Sequence, residues 1–309
     1  MEPEIQTTPS ALTFGEVLFD HFGDEKRPGG APFNVACHIR AFGTPCTFFS
    51  RVGQDPDGKD ILTLLRDLNF PQEGIQIDPD YPTGQVLVTV DHKGIPSYDI
   101  LTDQAYDYLE YTPTLSRLVQ NGPGLICFGT LLQRTPRGAG LTRLIWENRP
   151  PKTFLLYDVN LRKGQWSKEH VLASLHASNG VKWNDEEEKI IAECSGYSGP
   201  LSDFPYFALS RYDLTWIART RGSEGSDLFL SDRTFSISPE RDVPIMDTVG
   251  AGDAYTAVLA VGILRRWKFQ NILHRATEFA SRICGIRGAI PHDPSIYHEL
   301  MSRWEESCE

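Results

Sequence analysis

Apolar positions along the chain come in short runs of two periods, separated by polar, glycine-rich breaks. Ala11–Gly15 reads as a strand that runs on through Glu16–Phe22, with Glu16 and Asp20 as polar interruptions on a solvent face or in a cleft. Val35, Ile39 and Phe42 then fall at helical spacing. Cys46–Val52 is a strand, residues 53–58 a turn, and Ile61, Leu64, Leu65 and Leu68 one face of a helix. The β-branched run Gln85–Val90, the turn at 91–94 and Pro96–Leu101 form a hairpin outside the later alternation, hence a small separate sheet able to cover a cleft. Beyond it the order is regular: strand Leu125–Phe128, helix Ala139–Glu147, strand Phe154–Asp158, helix Lys168–Ala177, strand Val181–Trp183 and an acidic helix from Asn184 to Ile191. Strand Leu214–Arg219, a hairpin over 226–238 and two C-terminal helices follow, the first with Ala254, Ala257, Val258, Val261 and Leu264 and the second with Ala276, Phe279, Ala280 and Ile283. Alternating strands and helices imply an α/β fold, a mostly parallel sheet with helices on both faces. Ligands of such sheets lie at the carboxyl ends of the strands.

Two loop-to-helix junctions stand out. Asp247-Thr248-Val249-Gly250-Ala251-Gly252-Asp253 places small residues between two carboxylates just before a helix. Its glycines open backbone conformations that other residues resist. The first helical N–H groups lack partners within the helix and suit a phosphate. Asp253, in the first turn, is then a candidate general base for a phosphoryl acceptor. Arg27-Pro28-Gly29-Gly30-Ala31-Pro32-Phe33-Asn34 is the second junction. Each has a plain structural use as well, since Asp and Asn cap helices and Gly-Gly makes turns.

Composition narrows the partners. The chain has 309 residues, 40% of them hydrophobic, and a formal net charge of −11. That length suits one large α/β domain or two smaller ones, and the acidic balance argues against nucleic acid or an anionic membrane as the main partner. Six cysteines without a C-x-x-C pair read as reduced thiols rather than a zinc site. No signal peptide is indicated, and the longest apolar run is too short to span a bilayer, so a cytoplasmic protein is the expectation. A G-x-x-x-x-G-K-[ST] loop is absent from the chain, which argues against a P-loop kinase.

Polar clusters follow several strands: Tyr157-Asp158-Val159-Asn160-Leu161-Arg162, Lys182-Trp183-Asn184-Asp185-Glu186-Glu187 and Thr220-Arg221-Gly222-Ser223-Glu224-Gly225. With the two glycine junctions, and in this chain order, they resemble PfkB-type (ribokinase-like) carbohydrate kinases, most closely the fructokinase branch. The resemblance covers nearly the whole chain. Asp247–Asp253 matches the C-terminal signature, Gly29-Gly30-Ala31-Pro32-x-Asn34-Val35-Ala36 the N-terminal one in its fructokinase form, and Gly15-Glu16-x-x-x-Asp20, Asp158-x-Asn160-Leu161-Arg162 and Asn184-x-x-Glu187 further motifs. Phe33 departs from the Ala often found there and would crowd the sugar pocket.

The resemblance implies a single ribokinase-like domain over 1–309, a three-layer α/β/α core with a β-sheet lid from segments near 16–30 and 84–102. It implies ATP-dependent phosphorylation of a hexose hydroxyl, D-fructose above others. Asp253 would take the proton, and backbone N–H groups over Gly250, Ala251, Gly252 and Asp253 would form the anion hole. Asp20, Gly30 and Asn34, with Asn160, Arg162 and Tyr98, would hold the sugar. Asn184, Thr220, Gly222 and Gly225 would lie along the nucleotide, Glu187 would act with Asn184 on Mg²⁺ through water, and Asp247 and Thr248, with backbone near Gly288-Ala289, would bind a monovalent cation such as K⁺. Pairing through the lid would make a homodimer.

Competing readings stay open. A kinase for a 2-keto-3-deoxy sugar acid would need a pocket cation, and Arg162 is the candidate. A nucleoside kinase would need apolar pocket surface, which Phe33 offers. A catalytically silent sugar sensor should have lost Asp253 or Gly-Ala-Gly, and both are present. On the bland side, Asp185, Glu186 and Glu188 read as a solvated face, Arg162 as a helix cap or a partner of Asp158, Tyr98 as packing, Lys26, Arg27 and Lys93 as surface charges, and His21, His38 and His292 as structural.

Overall fold

The computed structural model describes residues 10–23, 25–90, 96–239 and 245–306. In chain order the elements are β1 (Ala11–Phe14), β2 (Leu18–Phe22), β3 (Glu25–Gly29), α1 (Ala31–Ala41), β4 (Cys46–Gly53), α2 (Pro56–Asp67), β5 (Ile75–Asp78), β6 (Gly84–Val90), β7 (Pro96–Ile100), α3 (Pro113–Gln120), β8 (Leu125–Gly129), α4 (Pro136–Asn148), β9 (Phe154–Asp158), α5 (Lys168–Ala177), β10 (Gly180–Asn184), α6 (Asp185–Cys194), α7 (Phe204–Arg211), β11 (Trp216–Thr220), β12 (Ser226–Phe229), β13 (Thr234–Ile237), α8 (Ala251–Leu264), α9 (Phe269–Cys284) and α10 (Ser295–Glu306). Side-chain caps fix several starts: Asp55, Thr112, Thr135 and Ser167 each accept from a backbone N–H three residues on.

The large sheet runs β13-β12-β11-β10-β9-β8-β1-β4-β5. It is parallel from β5 to β11 and antiparallel at the β11/β12 and β12/β13 edge. Alternation along its strands feeds two cores. Ala11, Phe48, Leu125 and Cys127 face one side with α1, α2, α8, α9 and α10. Leu12, Phe49, Ile126 and Phe128 face the other with α3 to α7. Both faces are therefore buried, which explains why these strands read as continuous apolar runs. Helix α8 is buried on nearly all sides, packed against α1 and α9. Among the described residues no helix is long and apolar enough to cross a membrane.

A second sheet has the order β3-β2-β6-β7, with β2/β6 parallel and the outer pairs antiparallel. Its inner face closes over a small cluster of Leu18, Val86, Val88 and Tyr106. One strand through Gly15 to Phe22 is therefore the wrong reading. The chain breaks at Gly15, β1 stays in the large sheet, and β2 crosses to the small one. The proposed 91–94 turn lies outside the described residues. Five elements had no counterpart in the apolar pattern: β3, β5, α3, α7 and α10.

Candidate active site

The carboxyl ends of β1, β8 and β9 and the start of α1 border a small cleft lined by Glu16, Ala31, Thr130, Asp158, Asn160 and Arg162 among others, and the start of α8 meets the start of α1 through Asp253. Both helix starts rest on glycine. Gly30 caps α1 at φ 112, where a Cβ would lie 2.5 Å from the Glu16 carbonyl oxygen. Gly250 caps α8 in the left-handed region at φ 79, where a Cβ would lie 2.4 Å from that of Ala289. The backbone is thus pinned at both junctions by close approach as well as by conformation.

These junctions bring Asn34 and Asp253 together although they lie 219 residues apart. Asn34 Nδ2 donates to Asp253 Oδ2 at 2.8 Å, and Asn34 Oδ1 is buried with no hydrogen-bond partner among the described residues. Beside them the Gly252 and Asp253 N–H groups have no acceptor among the described residues, whereas Ala251 N–H donates to the Thr248 carbonyl at 3.3 Å. Burial lifts the Asp253 carboxyl from an ordinary 3.8 to about 6, with Asp158 adding to the rise and Asn34, Lys182 and Arg162 opposing it.

Behind this pair is a closed polar network. Lys182 Nζ donates to Asp158 Oδ1 at 3.0 Å, and Thr256 Oγ donates to Asp158 Oδ2 at 2.6 Å. Asp158 is therefore the partner of Lys182 and Thr256, not of Arg162. Arg162 is exposed and makes no ion pair among the described residues. Asn160 holds a positive φ of 39, a conformation that Asn tolerates better than most residues.

On the small sheet, Asp20 stands opposite Val86, and Tyr98 stands opposite Val88, so both share the inner face. Burial raises the Asp20 carboxyl, while Arg162, Arg27 and His21 pull it back. Tyr98 is 47% exposed, so it is not core packing. Its phenol is raised by burial and by the Asp20 and Asp247 carboxylates, against the pull of Arg162 and Arg27.

A profile of the pfkB family carbohydrate kinases matches residues 5–296. The chain belongs to the pfkB family. A putative sugar kinase of Pyrococcus horikoshii is 31% identical over 78% of this chain and 74% of its own length. Its structure in complex with ATP superposes with a TM-score of 0.74 at 25% identity, covering 90% of this chain and 93% of that one. A probable chloroplastic fructokinase of Arabidopsis thaliana is 27% identical over 96% of this chain and 83% of its own. A fructokinase double mutant of Vibrio cholerae O395, in its fructose, ADP and potassium ion bound form, has a TM-score of 0.77 at 21% identity over 95% of this chain and 99% of that one. The protein is an ATP-dependent carbohydrate kinase with the ribokinase-like α/β fold.

Further along the same sheet edge, the kinase presents its other candidate residues. Asn184 caps α6 and accepts from the Glu186 and Glu187 N–H groups at 3.0 and 2.8 Å. Glu187 is buried, and its carboxylate accepts from Asn184 N–H and Leu161 N–H, both at 2.8 Å. Each of these oxygens retains a lone pair for a water molecule. Thr220 ends β11, and Gly222 and Gly225 bracket the next turn at positive φ. Asp247 receives Val249 N–H at 3.0 Å and Gly288 N–H at 3.2 Å, joining the α8 loop to the 288–289 backbone.

Some expectations fail on packing. Glu188 is not solvated: it is 1% exposed and accepts from Arg219 at 2.8 Å. Phe33 does not enter the cleft: it is fully buried against Phe48. Lys26 and Arg27 are surface charges as expected, Lys26 bridging Asp57 and Asp60 and Arg27 pairing with Glu25. His38 is structural as expected, buried with Nδ1 2.8 Å from the Tyr297 hydroxyl.

Sequence reasoning missed Glu16, Lys182 and Thr256 as members of the site. Glu16 lines the cleft almost fully buried, and burial raises its carboxyl to about 7, against the pull of backbone N–H groups and Arg162. A signal for Lys182 did exist. It lies between Val181 and Trp183 in a strand buried on both faces, where a charge must find a partner.

Proposed function

We propose that this kinase phosphorylates a hexose at a primary hydroxyl, with D-fructose the favoured acceptor and Asp253 the general base. The observation that carries the reading is the meeting of α1 and α8. There Asn34 orients the Asp253 carboxylate and keeps a buried Oδ1 that has no donor among the described residues, next to two N–H groups that have no acceptor among them. A sugar hydroxyl supplies the missing donor, and the N–H groups of Gly252 and Asp253, with Gly250 and Ala251 shaping the turn, receive the phosphoryl oxygens. The acceptor hydroxyl gives its proton to Asp253, its oxygen forms the new bond to the γ-phosphorus, and the bond to the bridging oxygen breaks to release ADP. A base lifted toward neutral pH is matched to that proton transfer.

Asp20, Gly30, Asn160, Arg162 and Tyr98 surround the sugar in this reading, and the small sheet serves as a lid within one domain over 1–309. Asn184, Thr220, Gly222 and Gly225 lie along ATP. The Glu187 oxygens fit a magnesium ion held through water, and the Asp247–Gly288 junction with Thr248 fits a monovalent cation such as K⁺. Magnesium, when bound, spreads the negative charge of the phosphates. Exposed Leu87, on the outer face of the small sheet, supports a homodimer contact there.

Fructose is favoured by the Gly29-Gly30-Ala31-Pro32 form and by the fructokinase names among the relatives. Arg162, without an ion pair among the described residues, supports a second reading, a 2-keto-3-deoxy sugar acid. A nucleoside loses support because Phe33 is in the core. Coupled ADP release over a panel of sugars, sugar acids and nucleosides tests the proposal. Turnover of another sugar with none of fructose would sink the substrate assignment.

A further inference from the structure

We propose that Lys182 is a catalytic residue of this kinase, its ammonium donating to an oxygen of the phosphoryl group in transfer at the start of α8. The inference rests on the proposed placing of that group at 250–253. Lys182 is 5% exposed on β10 and points to the α8 face of the sheet. An ammonium carries three N–H donors. Among the described residues a single one is used, toward Asp158 Oδ1 at 3.0 Å. Asp158 is held in turn by Thr256, whose hydroxyl also sits against the Gly252 carbonyl at 3.0 Å.

Two ammonium donors are thus buried without acceptors, a costly state that an anionic oxygen would relieve. Their position says where that oxygen lies. A Cβ added to Gly252 would stand 3.1 Å from Lys182 Nζ. The ammonium therefore flanks the same residue whose N–H is unpartnered at the helix start. Burial works against the charge, yet Asp158, Glu187 and Asp253 outweigh it and hold the proton on. Cation and helix N–H groups address one point from two sides, and glycine at 252 leaves the space between them open. During transfer the ammonium stays protonated and stabilises charge on the peripheral phosphoryl oxygens, while Asp253 alone takes the hydroxyl proton.

The rival role is that of a counterion for Asp158. Two variants separate them: Lys182→Met, and Lys182→Met with Asp158→Asn, which removes the carboxylate that Lys182 hydrogen-bonds. We expect the single variant to lower Tm and the double variant to recover most of it. Both should lose about 100-fold or more in kcat, with KM for the sugar changed less than about threefold, because uniform binding is untouched. A double variant that recovers both Tm and kcat overturns the proposal. Failure of the underlying reading is distinguishable, because Asp253→Asn would then remain active. Should neither Lys182 variant fold, a structure of the wild-type kinase with ADP, sugar and aluminium fluoride decides. Nζ within about 3.2 Å of the fluoride supports the role, and a separation beyond hydrogen-bond reach refutes it.

Discussion

Asp253→Asn should make the protein more stable and nearly inactive, and the two effects have one cause. The carboxyl is lifted from an ordinary 3.8 to about 6, chiefly by burial. For an acid with a raised folded pKa, the native state binds more protons than the unfolded chain between these values. Stability is therefore lost as pH rises from about 4 through 6, and the penalty is complete above that. A shift of about two units corresponds to about 3 kcal/mol, and solvent access to this half-buried residue trims the figure to about 2–3 kcal/mol. Asn keeps an acceptor for Asn34 Nδ2 and removes the charge. For a chain of this length the gain amounts to a Tm rise of about 3–5 °C. Thermal unfolding at pH 8 should show that rise, and at pH 4 it should vanish. Turnover should fall by about 10²–10⁴, and the wild-type kcat/KM should decline below about pH 6 as the base becomes protonated. An equal Tm gain at both pH values would show that charge burial is not its source. Near-full activity of the variant would refute the base assignment.

The α8 start and the buried Arg134–Asp107 pair offer two independent checks. Gly250→Ala forces a Cβ into Ala289 at a left-handed position, so it should cost about 1–3 kcal/mol and lower kcat about tenfold or more; kinetics within twofold of wild type would mean the loop has room to shift. Arg134 and Asp107 form a buried pair with contacts at 2.6 and 2.8 Å, and Arg134 also donates to the Leu101 carbonyl just beyond β7. Arg134→Met should cost about 3–5 kcal/mol in urea unfolding, and Arg134→Met with Asp107→Asn should regain most of it; equal losses in both would assign the cost to packing.

Where a segment had one dominant pattern, its extent was legible without tertiary information. Phe154–Asp158 and Lys168–Ala177 have the bounds read from the apolar pattern. Strand β5 offers just Ile75 and Ile77 among polar neighbours and exists by pairing with β4. Helix α10 is charged and amphipathic, and it is held by Tyr297, Leu300 and Trp304 against the α1 and α9 side. Glu188 sits in a uniform acidic run, and the register of α6 against Arg219 alone sets it apart from its exposed neighbours. Phe33 is a pocket residue by position in the motif and a core residue by side-chain direction.

The sequence by itself determined the α/β alternation, the two glycine junctions and the residue types a phosphoryl transfer needs, because periodicity, turn chemistry and short motifs are local properties. It also led to the carbohydrate kinase family. Only the tertiary structure decided which charges meet. Asn34 reaches Asp253 across 219 residues, Asp158 takes Lys182 and Thr256 rather than Arg162, and Lys182 faces Gly252 with two donors to spare. The physical reason is that the hydrogen-bond partner of a buried polar group depends on distance in space, which strand order and helix packing set and neighbouring letters do not.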